Sequence, residues 1–289
     1  MPGPESGWLQ AAAPPPVDVT PAFLRLYDRA RREPRFFPPA LRDCAFLLVP
    51  GLFTERYPLY FFQGRRRLQA LGIDAREVPM KTEQPVAACA AAIREAVLRA
   101  APRRCVLVGH SKGPLDAHAA LVLYPELQPQ VRALVSLQAP FGGTPLASDH
   151  GPLARRLISG AIRGLFRGEP QAFFDLSYRA RQRFLQAHGA TCPVPALSLV
   201  TTTSRAAWPL EHTRRLLRDR YGVESDGFVP AGDAAIPGSA LVRLQGVDHA
   251  GLALRWLGRS TFEPAPLTQA LLALVDEQPD GRALRPAAP

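Results

Sequence analysis

The sequence predicts an α/β fold in which helices flank a mostly parallel β-sheet and a helical insertion covers one edge. Short apolar runs of strand length alternate with segments whose apolar residues recur at helical spacing. Such alternation is typical of βαβ units, in which a crossover helix makes neighbouring strands parallel. With 289 residues and an apolar content of 47%, the chain is long and apolar enough for one such domain.

The first part of the chain contains four predicted elements. Residues 21–32 predict a helix. The continuous apolar run at 44–49 predicts a strand, and because both of its faces are apolar we expect it to be buried on both sides. A weaker strand is predicted at 73–78. The alanine-rich segment 86–100 predicts a second helix, since its larger apolar residues recur on one face.

The rest of the predicted sheet continues the alternation. Further strands are predicted at 105–108, 131–137, 194–200 and 240–244, with helices at 114–124 and 267–276. Because helices separate most of these strands, we expect the sheet to be mostly parallel.

Three segments of the chain differ from this pattern. An N-terminal arm (1–19) and a tail (279–289) are predicted to be flexible, which leaves residues 20–278 as the domain. At about 150–190, apolar residues at helical spacing predict a helical cap over the edge of the sheet that carries the motif described below. The same pattern also fits extra packing helices that do not influence access to that edge.

The net charge of +10 raises the question of an anionic partner. The arginine clusters lack interleaved aromatic residues, so we interpret them as a solvated surface and expect no nucleic-acid partner. A weak contact of residues 155–183 with an anionic membrane surface is a second interpretation. The four cysteines suit free thiols, and the N-terminus lacks the pattern of a secretory signal, so we expect a cytoplasmic protein.

The segment from Gly109 to Gly113 has the pattern G-x-S-x-G and lies between a predicted strand and a predicted helix. In that context the motif is typical of a sharp turn that exposes a serine hydroxyl, here that of Ser111. A serine becomes nucleophilic when a base takes its proton and the turn presents its oxygen. The alternative interpretation is a glycine-rich turn whose serine only caps the helix.

A serine nucleophile on such a sheet requires a base and an acid on later loops. His249 is the predicted base because it follows the strand at 240–244 in a short loop. Asp226 is the preferred acid, since Gly227 allows a tight turn beside it, and Asp233 is the reserve. Further candidate carboxylates after the strand at 194–200 and before His249 are Glu211, Asp219, Glu224 and Asp248.

Stabilising an oxyanion requires two backbone N–H groups near the serine. The predicted donors are the amides of Lys112 and Leu52, with Phe53 as the alternative to Leu52. The Lys112 side chain has three interpretations: it pairs with an acid in the cap, it meets an anionic part of a substrate, or it is solvated.

No metal or cofactor is expected. The candidate side chains for a substrate pocket are aromatic or belong to the G-x-S-x-G motif. The pocket candidates are Phe53, His110, Phe141, Phe173 and Phe174.

Together, five segments resemble the lipase-like and esterase-like α/β-hydrolases. They are 49–53, 108–113, 137–149, 225–229 and 247–249, and the resemblance extends over about residues 44–275. It is most specific for a bacterial and plant branch with a G-H-S-K-G turn, and more distant for bacterial triacylglycerol lipases. Pro114 departs from the pattern, because a glycine is common at that position.

The resemblance implies the α/β-hydrolase fold with a helical cap. It also implies Ser111 as nucleophile, Asp226 as acid and His249 as base. The expected activity is hydrolysis of a small-molecule or lipid-like carboxylic ester through an acyl-enzyme. A polyester depolymerase or an acyltransferase would use the same residues, and a non-catalytic binding protein on this fold is the alternative of another class.

Overall fold

The computed structural model describes residues 7–9, 13–54, 61–165, 167–253 and 258–277. Within these residues the strands form one sheet, in the order β1-β7-β6-β5-β4-β2-β3, and all neighbouring strands are parallel. The strands are β1 (Val17–Asp18), β2 (Ala45–Val49), β3 (Ala75–Glu77), β4 (Cys105–His110), β5 (Val131–Leu137), β6 (Ala196–Thr202) and β7 (Ala240–Gln245).

Helices connect the strands and cover both faces of the sheet. Those outside the predicted cap are α1 (Thr20–Arg32), α2 (Phe62–Ala70), α3 (Val86–Ala100), α4 (Gly113–Leu123), α5 (Pro145–Ser148), α9 (Leu210–Tyr221) and α10 (Pro264–Leu274). The predicted cap contains α6 (Pro152–Leu165), α7 (Pro170–Phe174) and α8 (Tyr178–His188). The fold is therefore the α/β arrangement that the alternating pattern predicts.

The core consists of two apolar layers because successive side chains of a strand point to opposite faces. Phe46 and Leu48 of β2 belong to a cluster with side chains of α1, α2 and α10. Leu47 and Val49 belong to the other large cluster, with side chains of α3 and α4. Every residue of β2 is buried, as its continuous apolar run predicts.

Part of the predicted N-terminal arm belongs to the domain. Val17–Asp18 pair with β7, whose outer edge offers unpaired backbone groups to a further strand. Leu9 is buried, and the indole Nε1 of Trp8 donates to Gly142 O at 2.8 Å. The predicted tail, 279–289, lies outside the described residues.

The sequence patterns do not predict α2, because its segment has few apolar residues and three adjacent arginines. Its position depends on packing against α10 and β3. Among the described helices, none combines the length and the apolar composition that a bilayer crossing requires.

The two-layer core generates a stability prediction. Leu107 lies wholly buried in the interior strand β4, whereas Leu98 on α3 is 39% exposed. We expect Leu107→Ala to lower the free energy of unfolding by about 2–5 kcal/mol, because it leaves a cavity that the packed layers cannot close. Leu98→Ala is the matched control and should change it by less than about 0.5 kcal/mol. Equal losses in urea denaturation would contradict the assigned core.

Candidate active site

The G-x-S-x-G segment forms a sharp turn between β4 and α4. Ser111 occupies the turn with φ of +59°, a left-handed conformation that is uncommon for a residue with a side chain. Its amide donates to Leu137 O at 3.0 Å, which ties the turn to the end of β5. The turn therefore presents the Ser111 hydroxyl at the carboxyl edge of the sheet.

Both glycines of the motif are required by close backbone contacts. A Cβ at Gly109 would lie 2.6 Å from Pro114 N, where α4 turns back over β4. A Cβ at Gly113 would lie 2.2 Å from Val49 O at the end of β2. Side chains at these positions would push the strand, the helix and the β2 end apart.

The structure brings Ser111, His249 and Asp226 together in one chain of hydrogen bonds. His249 Nε2 lies 2.9 Å from Ser111 Oγ, and His249 Nδ1 lies 2.8 Å from Asp226 Oδ2. Because a carboxylate only accepts, we assign the imidazole proton to Nδ1, which leaves Nε2 to accept the serine proton. The catalytic roles of the three residues stay predictions.

Asp226 is buried and oriented by its own turn. Its Oδ1 accepts hydrogen bonds from the amides of Phe228 and Val229 at 2.9 and 2.8 Å, so Oδ2 is left to face the imidazole. The amide of His249 also donates to Asp226 O at 2.9 Å. Side chain and backbone of Asp226 therefore both hold the His249 loop.

The other candidate acids have different partners. Asp248 accepts from the amides of Ala207 and Arg259, and Asp233 accepts from Tyr178 Oη at 2.6 Å, so both carboxylates shape loops rather than face His249. Glu211 binds Arg214 and Arg215, Asp219 binds Arg218, and Glu224 is exposed.

Two residues without a predicted supporting role fix the backbone of the histidine loop. The side-chain Nε2 of Gln138, which directly follows β5, donates to Asp248 O at 3.0 Å. His110 Nε2 lies 2.9 Å from His249 O and 3.1 Å from Gln138 Oε1. Burial, together with the nearby His249, lowers the pKa of His110 to about 3, so His110 is a neutral support. No motif in the sequence indicates this role.

The predicted oxyanion donors lie on two turns that touch each other. Lys112 follows Ser111 at the start of α4, and Leu52 lies just beyond the β2 end that contacts Gly113. Within the described residues, neither the Lys112 amide nor the Leu52 amide donates to a protein acceptor. Phe53, the alternative donor, has φ of +64°. The assignment of these amides stays a prediction.

The side chain of Lys112 is wholly buried, so the interpretation as a solvated lysine is wrong. Its Nζ lies 2.7 and 2.9 Å from the two carboxylate oxygens of Asp116, and 3.3 Å from Cys89 Sγ. The acidic partner is thus one turn along α4 and not in the cap. An anionic part of a substrate would find this ammonium already paired.

The environment of the pair keeps both groups charged above neutral pH. Burial raises the pKa of Asp116 to about 7, although Lys112 acts against this rise. Burial acts to lower the pKa of Lys112, but the charge and hydrogen bonds of Asp116, together with those of Cys89, raise the pKa by more than burial lowers it. The ammonium is close to both carboxylate oxygens, and in such a geometry the attraction between the two charges can offset the free-energy cost of removing them from water.

Three of the pocket candidates have buried side chains with partners in the core, and a pocket role for them stays a prediction. Phe141 is wholly buried between His118 and Arg181, and His110 is buried beneath the histidine loop. Phe174 is buried under the guanidinium of Arg155. The fold decides these positions, because an aromatic residue near a motif fits the core and a pocket equally well. For Phe53 and Phe173, which are partly exposed, a pocket role stays a prediction.

The cysteines are all free thiols, and three of them are buried. Burial raises the pKa of Cys89 to about 12 and that of Cys105 to about 11, and the partial burial of Cys192 raises its pKa to about 12, so these thiols stay protonated at neutral pH. In the described part of the chain, no group of three His, Cys, Asp or Glu side chains is placed to hold a metal ion.

The buried ion pair generates a stability prediction. Lys112→Met leaves the Asp116 carboxyl buried without its partner, so we expect the free energy of unfolding at pH 8 to fall by about 3 kcal/mol or more. Adding Asp116→Leu removes the orphaned carboxyl and should restore most of the loss. Lys81→Met, at the exposed lysine, is the control. A Lys112→Met protein as stable as wild type in urea denaturation would refute the pairing.

A second prediction concerns acid sensitivity. Burial, together with Arg181, lowers the pKa of His118 on α4 to about 3, and its Nδ1 has no partner among the described residues. The unfolded chain takes up this proton near pH 6.5 while the folded chain does not, so stability falls as the pH falls below about 6.5. The slope is about 1.4 kcal/mol per pH unit for each such histidine.

We therefore expect His118→Gln to flatten the dependence of the free energy of unfolding on pH between 6.5 and 5. The exposed His212, changed to glutamine, is the control and should leave the slope unchanged. Identical slopes for the two variants would contradict a neutral, buried His118.

Comparison with solved structures gives esterases and lipases among the matches. A metagenomic carboxyl esterase matches with a TM-score of 0.70 and 27% sequence identity, over 82% of this chain and 76% of the esterase. A Bacillus licheniformis lipase in its mature form matches with a TM-score of 0.58 and 19% identity, over 74% of this chain and 87% of the lipase. Staphylococcus hyicus lipase matches with a TM-score of 0.60 and 11% identity, over 84% and 97%.

No protein-family model matches the sequence, and none of the curated proteins matches it. The two lipases, at low identity, show a common fold alone. The parallel sheet flanked by helices and these neighbours together establish the architecture. The chain has the α/β-hydrolase fold, and its structural neighbours are carboxyl esterases and lipases.

Proposed function

We propose that this protein is a serine hydrolase that cleaves carboxylic esters through a Ser111–His249–Asp226 triad. The observation that carries the proposal is the pair of hydrogen-bond distances at His249, 2.9 Å to Ser111 Oγ and 2.8 Å to Asp226 Oδ2. A serine, an imidazole and a carboxylate at these distances form the arrangement that activates a hydroxyl nucleophile.

In the first half of the reaction, Ser111 Oγ attacks the ester carbonyl carbon while His249 Nε2 takes the hydroxyl proton. Asp226 stabilises the resulting imidazolium through Nδ1 and keeps its own charge. The amides of Lys112 and Leu52 hold the oxyanion of the tetrahedral intermediate. The intermediate collapses when His249 returns the proton to the alkoxy oxygen, so an alcohol leaves and an acyl group remains on Ser111.

The second half repeats these steps with water as the nucleophile. His249 takes a proton from water, hydroxide adds to the acyl carbon, and Ser111 leaves with the proton that His249 donates. A neutral His110 suits this cycle, because a charged ring beside His249 would disfavour the imidazolium. Burial lowers the pKa of His110 to about 3, which supports its neutrality throughout.

The comparisons support the class of reaction. The metagenomic carboxyl esterase, at 27% identity over 82% of this chain, shares more sequence with it than either of the two lipases does. The G-H-S-K-G turn is consistent with the same chemistry, since it supplies the strained serine and the amide that follows it. Apolar side chains in the cap favour a hydrophobic ester as substrate.

Active-site labelling tests the nucleophile. We expect a fluorophosphonate probe to label the wild-type protein and to leave Ser111→Ala unlabelled, because only an activated serine attacks phosphorus. Ser204→Ala, at an exposed serine, is the matched control and should label like wild type. Labelling of Ser111→Ala, or hydrolysis of p-nitrophenyl esters by that variant, would sink the proposal.

The same assay distinguishes the candidate acids. Asp226→Asn should lower kcat for a p-nitrophenyl ester by roughly 10³- to 10⁴-fold, since the amide no longer stabilises the imidazolium. Asp233→Asn should retain kcat within about threefold, although it weakens the bond to Tyr178 and with it the stability. The reverse result would identify Asp233 as the acid.

A further inference from the structure

Helix α6 in the cap exposes large apolar side chains to water. Leu153 is 72% exposed, and Leu157, one turn further along the helix, is 67% exposed. Leucines one turn apart form a continuous stripe, which isolated surface leucines do not. Such a stripe indicates a surface that meets an apolar partner.

The apolar arc of α6 is wider than its contact with the domain requires. Successive residues of a helix are about 100° apart around its axis, and on this scale the side of α6 that meets the domain spans about 80°. It contains the buried or half-buried Ala154, Ile158 and Ile162. Leu153 and Leu157 lie on the next part of the circumference, in the direction of solvent. Packing of α6 against the domain therefore does not account for the leucine stripe.

Positive charge borders the leucine stripe on its other side. Arg156 and Arg163 lie about 60–80° from Leu153 around the helix. Neither arginine is within 4 Å of an acidic side chain in the described part of the chain. Residues 152–188 contain seven arginines and two carboxylates, a net charge of +5, which is half of the net charge of the chain.

The end of α6 is linked to the turn that carries a candidate oxyanion donor. Four residues beyond the helix, the Glu169 amide donates to Glu83 O at 2.9 Å. The neighbouring Thr82 accepts from the Thr54 amide at 3.3 Å, and Thr54 follows Leu52 on its turn. The leucine stripe is thus connected to the edge of the sheet where Ser111 lies.

We propose that α6 docks this protein on the surface of an anionic lipid bilayer. A helix with an apolar stripe flanked by arginines lies in the plane of the interface, where the leucines enter the acyl boundary and the guanidinium groups meet lipid phosphates. A second copy of the chain would cover the leucines equally well. It would bring two cap regions of charge +5 together, however, and like charges oppose that contact.

Vesicle co-sedimentation tests the docking. The full-length Ser111→Ala protein is used so that lipids are not consumed, and the vesicles contain phosphatidylcholine alone or with phosphatidylglycerol. We expect the anionic vesicles to bind at least tenfold more tightly at low salt, and the difference to shrink at high salt because surface charges are screened. Equal binding to both vesicles at low salt would overturn the proposal.

Variants of α6 locate the contact. Leu153→Gln with Leu157→Gln should weaken binding to anionic vesicles at least tenfold, and Arg156→Gln with Arg163→Gln should remove most of the preference for anionic lipid. The matched controls lie on α1, which packs against α10 and β7. They are Leu24→Gln, at an exposed leucine, and Arg25→Gln with Arg32→Gln, and all should bind like the parent protein.

Two further outcomes would contradict docking by α6. One is unchanged vesicle binding by both α6 variants while circular dichroism shows them folded. The other is a dimer in sedimentation velocity that the leucine variant splits, because a second copy would then cover the stripe. Vesicle binding by the Ser111→Ala protein requires no ester hydrolysis, so a failure of the proposed activity and a failure of docking are separate results.

Discussion

The close contact between the Ser111 turn and the end of β2 is the constraint on which the site depends. There is no room for a side chain at Gly113, where a Cβ would lie 2.2 Å from Val49 O, or at Gly109, where α4 crosses β4. Ser111 is the residue at the apex of this turn, and its left-handed backbone is strained. The packing of β2, β4 and α4 offsets that strain, so the fold holds the hydroxyl in place before any ligand arrives.

Parallel strands bring the partners of the serine to the same edge. Asp226 follows β6 and His249 follows β7, and the carboxyl ends of both strands lie on the side where β4 ends. The His249 loop is then fixed by groups outside the hydrogen-bonded chain of Ser111, His249 and Asp226. Gln138 holds the backbone of Asp248, and the neutral His110 holds the backbone of His249. Precise geometry at the imidazole thus comes from buried hydrogen bonds beneath it.

Positive charge occurs in two different environments in this molecule. Lys112 is buried, and a buried charge is tolerated only with a close partner, which Asp116 supplies. Arg156 and Arg163 border an exposed leucine stripe and stay hydrated, so they cost little although no acidic side chain pairs with them in the described part of the chain. The first charge is paired inside the helix that follows Ser111, whereas the others are exposed to solvent.

The sequence by itself determined the α/β class, most element positions, and the order Ser111, Asp226, His249 along the chain. The spacing of apolar residues and a glycine-flanked turn depend on residues that are neighbours in the sequence, so both can be recognised before the fold is known. Only the tertiary structure decided the sheet order, the pairing of Val17–Asp18 with β7, and the burial of Lys112. A lysine four residues before an aspartate looks the same on a solvated helix and in a core, because burial depends on what packs over it.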